Sequence, residues 1–223
     1  ANCSCPPPVA VIFAGHETTA MTMTWIFHLL SRYPEVKARV LAEIGAALGE
    51  PRPTLADIEA MPYTDWVIQE TLRLYPAVYA TWREAEEDDG LDGDHVPTGT
   101  EFLINIRGMH RDPQHWPDPE QFRPERFSAA ESEGRHKGAY LPFLLGPKKC
   151  IGDEFAMMEM RLLVPTILVM LTTTSAMVSE MRAPIMPRER MSRPSLSVPR
   201  KCTGAPLVDP KKWILAGISQ KKS

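Results

Sequence analysis

Twenty-two prolines in 223 residues set hard limits on where this chain can be helical. Proline lacks the backbone N–H and its ring clashes with the preceding turn, so it starts and stops helices far more readily than it sits inside them. The three consecutive prolines of "ANCSCPPP" (1–8) cannot continue a helix, which sets this start apart from the chain beyond Pro8. The apolar run at 9–33 predicts a long helix that reaches Pro34. Pro34 takes the first position of a second helix, 34–50, with Val36, Val40, Leu41, Ile44 and Leu48 on one face and Gly49 suited to its C-terminal cap. Thr54 as N-cap predicts a short helix over 54–61, and a fourth, 63–76, is stopped by Pro76. The last helix runs from Ile151 to about Thr173, where Pro165 predicts a kink or an early end.

Between these helices the pattern changes. Segments 78–85, 94–99 and 100–108 read as short strands, with Pro97 and Gly99 at a turn, and 110–150 reads as mostly loop. Residues 174–223 read as an irregular tail, with short strands or poor order over its Pro-, Arg-, Met- and Ser-rich part, 182–210. The expected class is mainly α with a small β-sheet, and no internal repeat is visible. A hydrophobic content of 43% permits a sizeable core, and a net charge of -3 argues against a general nucleic-acid binder. Cys3, Cys5, Cys150 and Cys202 suit neither a disulfide framework nor a four-ligand zinc site, which points to a reducing, intracellular compartment. The start has neither the basic residues nor the apolar run of a secretory signal. The most apolar windows, 9–30 and 155–172, contain His16, Glu17, Glu159, Arg161 and Pro165, so neither is expected to span a membrane.

Three stretches carry chemistry. Glu70 and Arg73 lie three apart on one helix face and can pair; alone, such a pair is most often a solvated one worth little. "FRPERF" (122–127) adds Arg126, and a carboxylate held between two guanidiniums would pin a long loop to that helix. In "AGHETT" (14–19), Ala14 and Gly15 leave room beside a helix for a flat ligand, with Glu17 and Thr18 next to the gap. A mid-helix threonine also commonly bonds back to its own carbonyl ladder. A zinc-protease reading of His16–Glu17 fails, because Ala20 stands where the second histidine is needed. In "LPFLLGPKKCIGDEFAMMEMRLL" (141–163), Cys150 precedes a helix whose positive end favours a thiolate. Gly146 and Gly152 allow close approach of a planar cofactor, and Phe143 can screen the sulfur. A lone cysteine is usually a small buried hydrophobe, but the spacing Phe143-x-x-Gly146-x-x-x-Cys150-x-Gly152 is specific.

In this order the three stretches resemble the cytochrome P-450 family of haem-thiolate monooxygenases, over about Val9 to Thr172. The resemblance implies the C-terminal half of that fold: long central helix, Glu-x-x-Arg helix, meander, cysteine loop and haem-proximal helix, over 9–173. It implies haem b (iron protoporphyrin IX) with Cys150 as axial iron ligand and Phe143, Gly146 and Gly152 as cysteine-loop positions. Glu70, Arg73 and Arg126 match the structural triad, and Ala14, Gly15, Glu17 and Thr18 the oxygen-activating segment. Arg83 matches a strand arginine that pairs with a haem propionate, and Lys148 stands where arginine or histidine usually serves the same purpose. The thiolate would push electron density toward iron and favour O–O cleavage, with Glu17 and Thr18 relaying protons. The activity implied is insertion of one oxygen atom into a small lipophilic substrate. Electrons would come from an NAD(P)H-dependent reductase or a ferredoxin, and Lys148 and Lys149 offer a dock for an acidic partner. "YLPFLLGPKKCIGDEFA" is most similar to carotenoid hydroxylases and "AGHETTAMTMTW" to fatty-acid hydroxylases.

The sequence also departs from the pattern. Only the C-terminal half of the family is matched, so a truncated, inactive fragment or a non-enzymatic haem-binding or interaction module is the alternative. Membrane association is expected only through an N-terminal anchor outside this stretch. Leu144 and Leu145 replace smaller residues in the cysteine loop and are expected to crowd the porphyrin. Half of such a fold is expected to leave apolar helix faces without partners.

Overall fold

The computed structural model describes residues 8–48 and 54–181. Seven α-helices and four strands are present among them: α1 (Pro8–Arg32), α2 (Pro34–Ala47), α3 (Leu55–Glu59), α4 (Pro62–Leu74), β1 (Thr81–Glu84), β2 (Asp89–Leu91), β3 (Asp94–Val96), β4 (Glu101–Ile104), α5 (Ile106–Met109), α6 (Ala129–Ser132) and α7 (Asp153–Met181). Single 3-10 turns at Pro124–Phe127, Lys137–Ala139 and Gly146–Lys148 punctuate the long loop between α5 and α7.

The core is where α1, α2, α4 and α7 meet. Each contributes a helical stripe: Met23, Ile26, Leu29 and Leu30 from α1; Val36, Val40 and Ile44 from α2; Val67, Ile68, Leu72 and Leu74 from α4; Met160, Val164 and Leu168 from α7. Helix α4 is the centre of this assembly and buries polar as well as apolar positions, including Thr64, Glu70, Thr71 and Arg73. Pro62 occupies its first turn, and its N-cap residue, Met61, has no side-chain acceptor. Glu43 of α2 supplies what the cap lacks. Its carboxylate accepts the backbone N–H groups of Tyr63 and Thr64, both at 2.7 Å, and the Thr64 hydroxyl at 2.6 Å.

Several expectations need correction. Helix α7 neither ends near Thr173 nor stops at Pro165, but continues to Met181, so residues 174–181 are helical and not irregular tail. Packing outweighs the lost ladder bond at Pro165: Val164 and Leu168 are buried on either side, and Arg161 Nε donates to Asp65 at 2.7 Å. Residues 153–174 also reach the length and mean hydropathy (1.6) of a membrane span, despite Glu159 and Arg161. Met160, Val164 and Leu168 are buried against α1, α2 and α4, while Phe155, Met170 and Leu171 of the same helix stay exposed. The expectations for 1–7, for the cap at Gly49 and for 182–223 lie outside the described residues.

The strands are shorter than the pattern suggested. β1 pairs antiparallel with β4, with Trp82 opposite Leu103 and Arg83 opposite Phe102. Residues 106–108 are helical, because the Asn105 side chain accepts the Gly108 N–H at 2.9 Å and starts α5 instead of prolonging β4. A strand at 89–91 was not anticipated. It forms a hairpin with β3 across Asp92 and Gly93, whose φ values of 52° and 93° suit the tight turns that match strand twist.

Apolar side chains stay exposed on the helices, among them Val11, Ile12, Phe13 and Met21 on α1, Phe155 in the first turn of α7 and Ile151 just before it, the latter two 65% and 84% accessible. Exposed apolar surface of this kind is what half of a helical fold was expected to show.

Candidate functional site

The first element of the site is a buried clamp. Arg73 Nε and Nη2 donate to the two oxygens of Glu70 at 2.7 and 2.9 Å in a bidentate pair. The remaining Arg73 N–H groups reach loop carbonyls: Nη1 meets His110 and Pro119, each at 2.8 Å, and Nη2 meets Gln121 at 3.2 Å. Arg126 Nε stands 3.4 Å from Glu70 Oε1, its Nη2 donates to Asp118 O at 2.7 Å, and Nη1 donates to Pro117 O. Glu70 Oε1 also accepts the Arg123 N–H at 2.9 Å. Glu70, Arg73 and Arg126 are all at most 1% exposed, so they are not the solvated pair that spacing alone would favour. Three buried charges are costly unless their hydrogen bonds are filled, and here residues 110–123 fill most of them, leaving Arg126 Nε to its ion pair with Glu70 alone. Burial pulls the Arg126 guanidinium below its ordinary value, opposed by the Glu70 charge. Trp116, fully buried, packs under Arg73 with the guanidinium carbon 5.0 Å from its ring centroid and donates its own N–H to Ala139 O at 3.2 Å.

The second element is the loop that ends at Cys150. The Cys150 N–H donates to Phe143 O at 2.9 Å and closes the loop on itself. Inside it, Leu144 N–H meets Leu141 O at 3.3 Å and Lys149 N–H meets Gly146 O at 3.1 Å. Such a tight path requires left-handed backbone. Gly146, at φ 68°, takes it without strain, but Leu144 takes it at φ 63° with a side chain attached. Phe143 is half-buried and anchors the loop on the helical core. Cys150 is a free, exposed thiol, three residues ahead of α7. A Cβ added at Gly152 would stand 4.0 Å from its sulfur, and one added at Gly146 would meet nothing within 4 Å. Asp153 and Glu154 occupy the first turn of α7, and Lys149 pairs with Asp153, which raises the lysine and lowers the aspartate. Lys148 is exposed, and among the described residues neither it nor Arg83 has a carboxylate partner. Arg83, half-buried on β1, donates only to Trp82 O at 2.7 Å and Thr81 Oγ1 at 3.4 Å.

The third element lies on α1. Ala14, Gly15 and Glu17 are exposed and Thr18 is partly buried, with open space where a Gly15 side chain would project. Thr18 Oγ1 donates to Ala14 O at 2.6 Å, the back-bonded arrangement open to any mid-helix threonine.

The structure thus gathers Glu70, Arg73 and Arg126 into one cluster, and Phe143, Gly146, Lys148, Cys150 and Gly152 into one loop. It places Ala14, Gly15, Glu17 and Thr18 together on α1, and Arg83 apart on the sheet. An exposed thiol, nearby glycines without side chains and Lys148 without an acidic partner give this loop a donor set suited to a flat, anionic, metal-bearing group. Sequence reasoning missed Glu43 and His110, whose partners are distant in sequence and are mostly main-chain atoms.

Comparison with known proteins gives a concordant picture. The family model described as Cytochrome P450 matches residues 9–194. Cytochrome P450 4V2 of Mus musculus is 45% identical over 159 residues, covering 70% of this chain and 30% of that protein. Cyclooctat-9-en-7-ol 5-monooxygenase of Streptomyces melanosporofaciens is 43% identical over 159 residues, 71% of this chain and 35% of that one. Cytochrome P450 3A1 of Rattus norvegicus is 40% identical over 161 residues, 72% and 32% respectively. The chain spans about a third of the length of the curated relatives it matches.

Proposed function

The chain belongs to the cytochrome P450 family, and from that membership we propose that it is the iron-ligating part of a haem-dependent monooxygenase acting on a lipophilic substrate. The observation that carries this reading is the exposed Cys150 thiol, held by a closed loop just ahead of α7. Haem b is the family's cofactor, and when bound it would supply activation of dioxygen and transfer of one oxygen atom.

Everything else falls to the chain's own side chains. Cys150 would ligate the iron through its exposed sulfur, which the closed loop presents just ahead of α7. Gly146 and Gly152 keep side chains away from the plane of the ligand, and Phe143 limits water at the sulfur. Arg83 and Lys148, which have no acidic partners among the described residues, would pair with haem propionates; lysine would do so as a point charge and not as a fork. On α1, Ala14 and Gly15 give a flat approach. Glu17 takes protons from solvent, and the Thr18 hydroxyl passes them inward by turning from Ala14 O. Electrons arrive from a reductase or ferredoxin that docks on the cysteine-loop side. Relatives with three different names match at 40–45% identity, which supports no narrower substrate class than lipophilic.

The test is turnover of the haem-reconstituted chain with a reductase and a fatty acid as probe. Hydroxylated product, formed in lower yield for each dioxygen consumed by Thr18→Ala, would support the reading. Haem uptake with no product under any reductase would favour the inactive haem-binding reading instead.

A further inference from the structure

His110 is completely buried, yet nothing in the proposed chemistry uses it. It follows α5 directly, and its ring reaches only main-chain atoms. Nδ1 lies 3.2 Å from Arg73 O, and Nε2 lies 2.7 Å from Leu141 N. A carbonyl only accepts and an amide N–H only donates, so the partners allow one arrangement: a proton on Nδ1, a lone pair on Nε2 and a neutral ring. The surroundings agree. The charged groups nearest the ring are the Arg73 and Arg111 guanidiniums, and the Tyr140 ring covers it at 5.3 Å with its hydroxyl tied to Gln69 O at 3.0 Å. Burial, reinforced by the two guanidiniums, brings its pKa down from 6.5 to about 4.

The two ring bonds join the last turn of α4 to the residue that opens the cysteine loop. Leu141 O receives the Leu144 N–H, and two residues after Leu141 the Phe143 carbonyl receives the Cys150 N–H. The carbonyl of His110 itself accepts from Arg73 Nη1 at 2.8 Å. His110 is therefore tied to Arg73 through both its ring and its backbone, and it joins the buried clamp to the loop alongside the Tyr140 hydroxyl on Gln69 O and the Trp116 N–H on Ala139 O.

We propose that His110 is a positioning residue for Cys150, its neutral ring holding the entrance of the cysteine loop against the C-terminal end of α4 through a bond that only an unprotonated Nε2 can accept. The consequence for ligation rests on the haem-thiolate reading given above; the link itself does not.

The test compares His110→Leu with His110→Gln in the full chain. The glutamine oxygen can take the Leu141 N–H, and leucine cannot. Nitrogen NMR of the wild-type ring at near-neutral pH should show a protonated Nδ1 and a bare Nε2. His110→Leu should speed amide exchange at Leu141 and Cys150 about tenfold, leaving α2 unchanged, and His110→Gln should restore most of the protection. After haem reconstitution, the thiolate-type band of the reduced carbon monoxide complex should fall per bound haem in His110→Leu and return in His110→Gln. The opposite tautomer, a charged ring, or exchange that is unchanged or uniformly faster in α2 as well would overturn the proposal. If His110→Leu does not fold, the wild-type tautomer and Leu141 protection in His110→Gln decide the matter. A wild-type chain with a protected loop and no thiolate band contradicts the haem-thiolate reading and leaves the link standing. A thiolate band kept in full by a folded His110→Leu contradicts the positioning role.

Discussion

The Glu70 clamp and the Cys150 loop both depend on backbone held away from regular structure, but they are satisfied in opposite ways. Around Glu70, loop carbonyls and an amide converge on charged side chains until the charges are buried and paired. Around Cys150 the loop satisfies its own backbone and leaves the Cys150 sulfur in the open, next to glycines and exposed apolar residues. One region turns its polar groups inward for stability; the other leaves them available for a ligand. The difference teaches that a buried, closely tied region can hold the frame while a neighbouring loop keeps a side chain exposed.

The contrast is sharpest if the clamp is cut. Glu70→Ala leaves the Arg73 and Arg126 charges buried without their carboxylate, and unfolding by urea should show a loss of ~3–5 kcal/mol. Cys150→Ser should leave the same curve unmoved. A comparable loss in both variants would dissolve the distinction.

Acid should act on the clamp side next. The unfolded chain protonates His110 near its ordinary 6.5 and the folded chain only near 4, so the unfolded state holds more protons across that window. Stability is fully present above 6.5 and declines as pH falls toward 4, by at most about 1.4 kcal/mol per pH unit. His110→Gln should flatten that slope in melts taken from pH 7 to pH 4.

Smaller effects come from the loop. Leu144→Gly relieves a left-handed leucine and should raise stability by ~1 kcal/mol, whereas Leu145→Gly, at φ -138°, should not. Differential melting of the two variants checks this. Least of all, Arg39→Ala removes an exposed pair with Glu125 and a guanidinium stacked 3.9 Å from the Tyr63 centroid, and should cost under ~1 kcal/mol in the same assay.

The helical frame was legible because prolines mark its ends: Pro34 stands in the first turn of α2, α4 ends at Leu74 just ahead of Pro76, and Val36, Val40 and Ile44 fall on the buried face their spacing indicates. The composition of the clamp was legible from Glu70, Arg73 and Arg126, but its burial was not, since a pair three apart on a helix looks the same whether solvent or a loop covers it. Pro165 misled because the ladder bond it removes is a local loss, while the burial of Val164 and Leu168 depends on distant helices. The strand at 89–91 carried a readable signal, Asp92-Gly93, that was passed over. His110 was unreadable for a stronger reason. Its partners are a carbonyl 37 residues before it and an amide 31 residues after it, and main-chain atoms leave no trace in side-chain identity.

The central claim is that Cys150 is the metal-binding group that this scaffold presents. The most direct measurement is the absorption spectrum of the reduced carbon monoxide complex after haem reconstitution, wild type against Cys150→Ser. The account predicts a red-shifted, thiolate-type Soret band in the wild type that the serine variant lacks although its fold is intact. A band that is the same in both proteins, or absent from both, would contradict it.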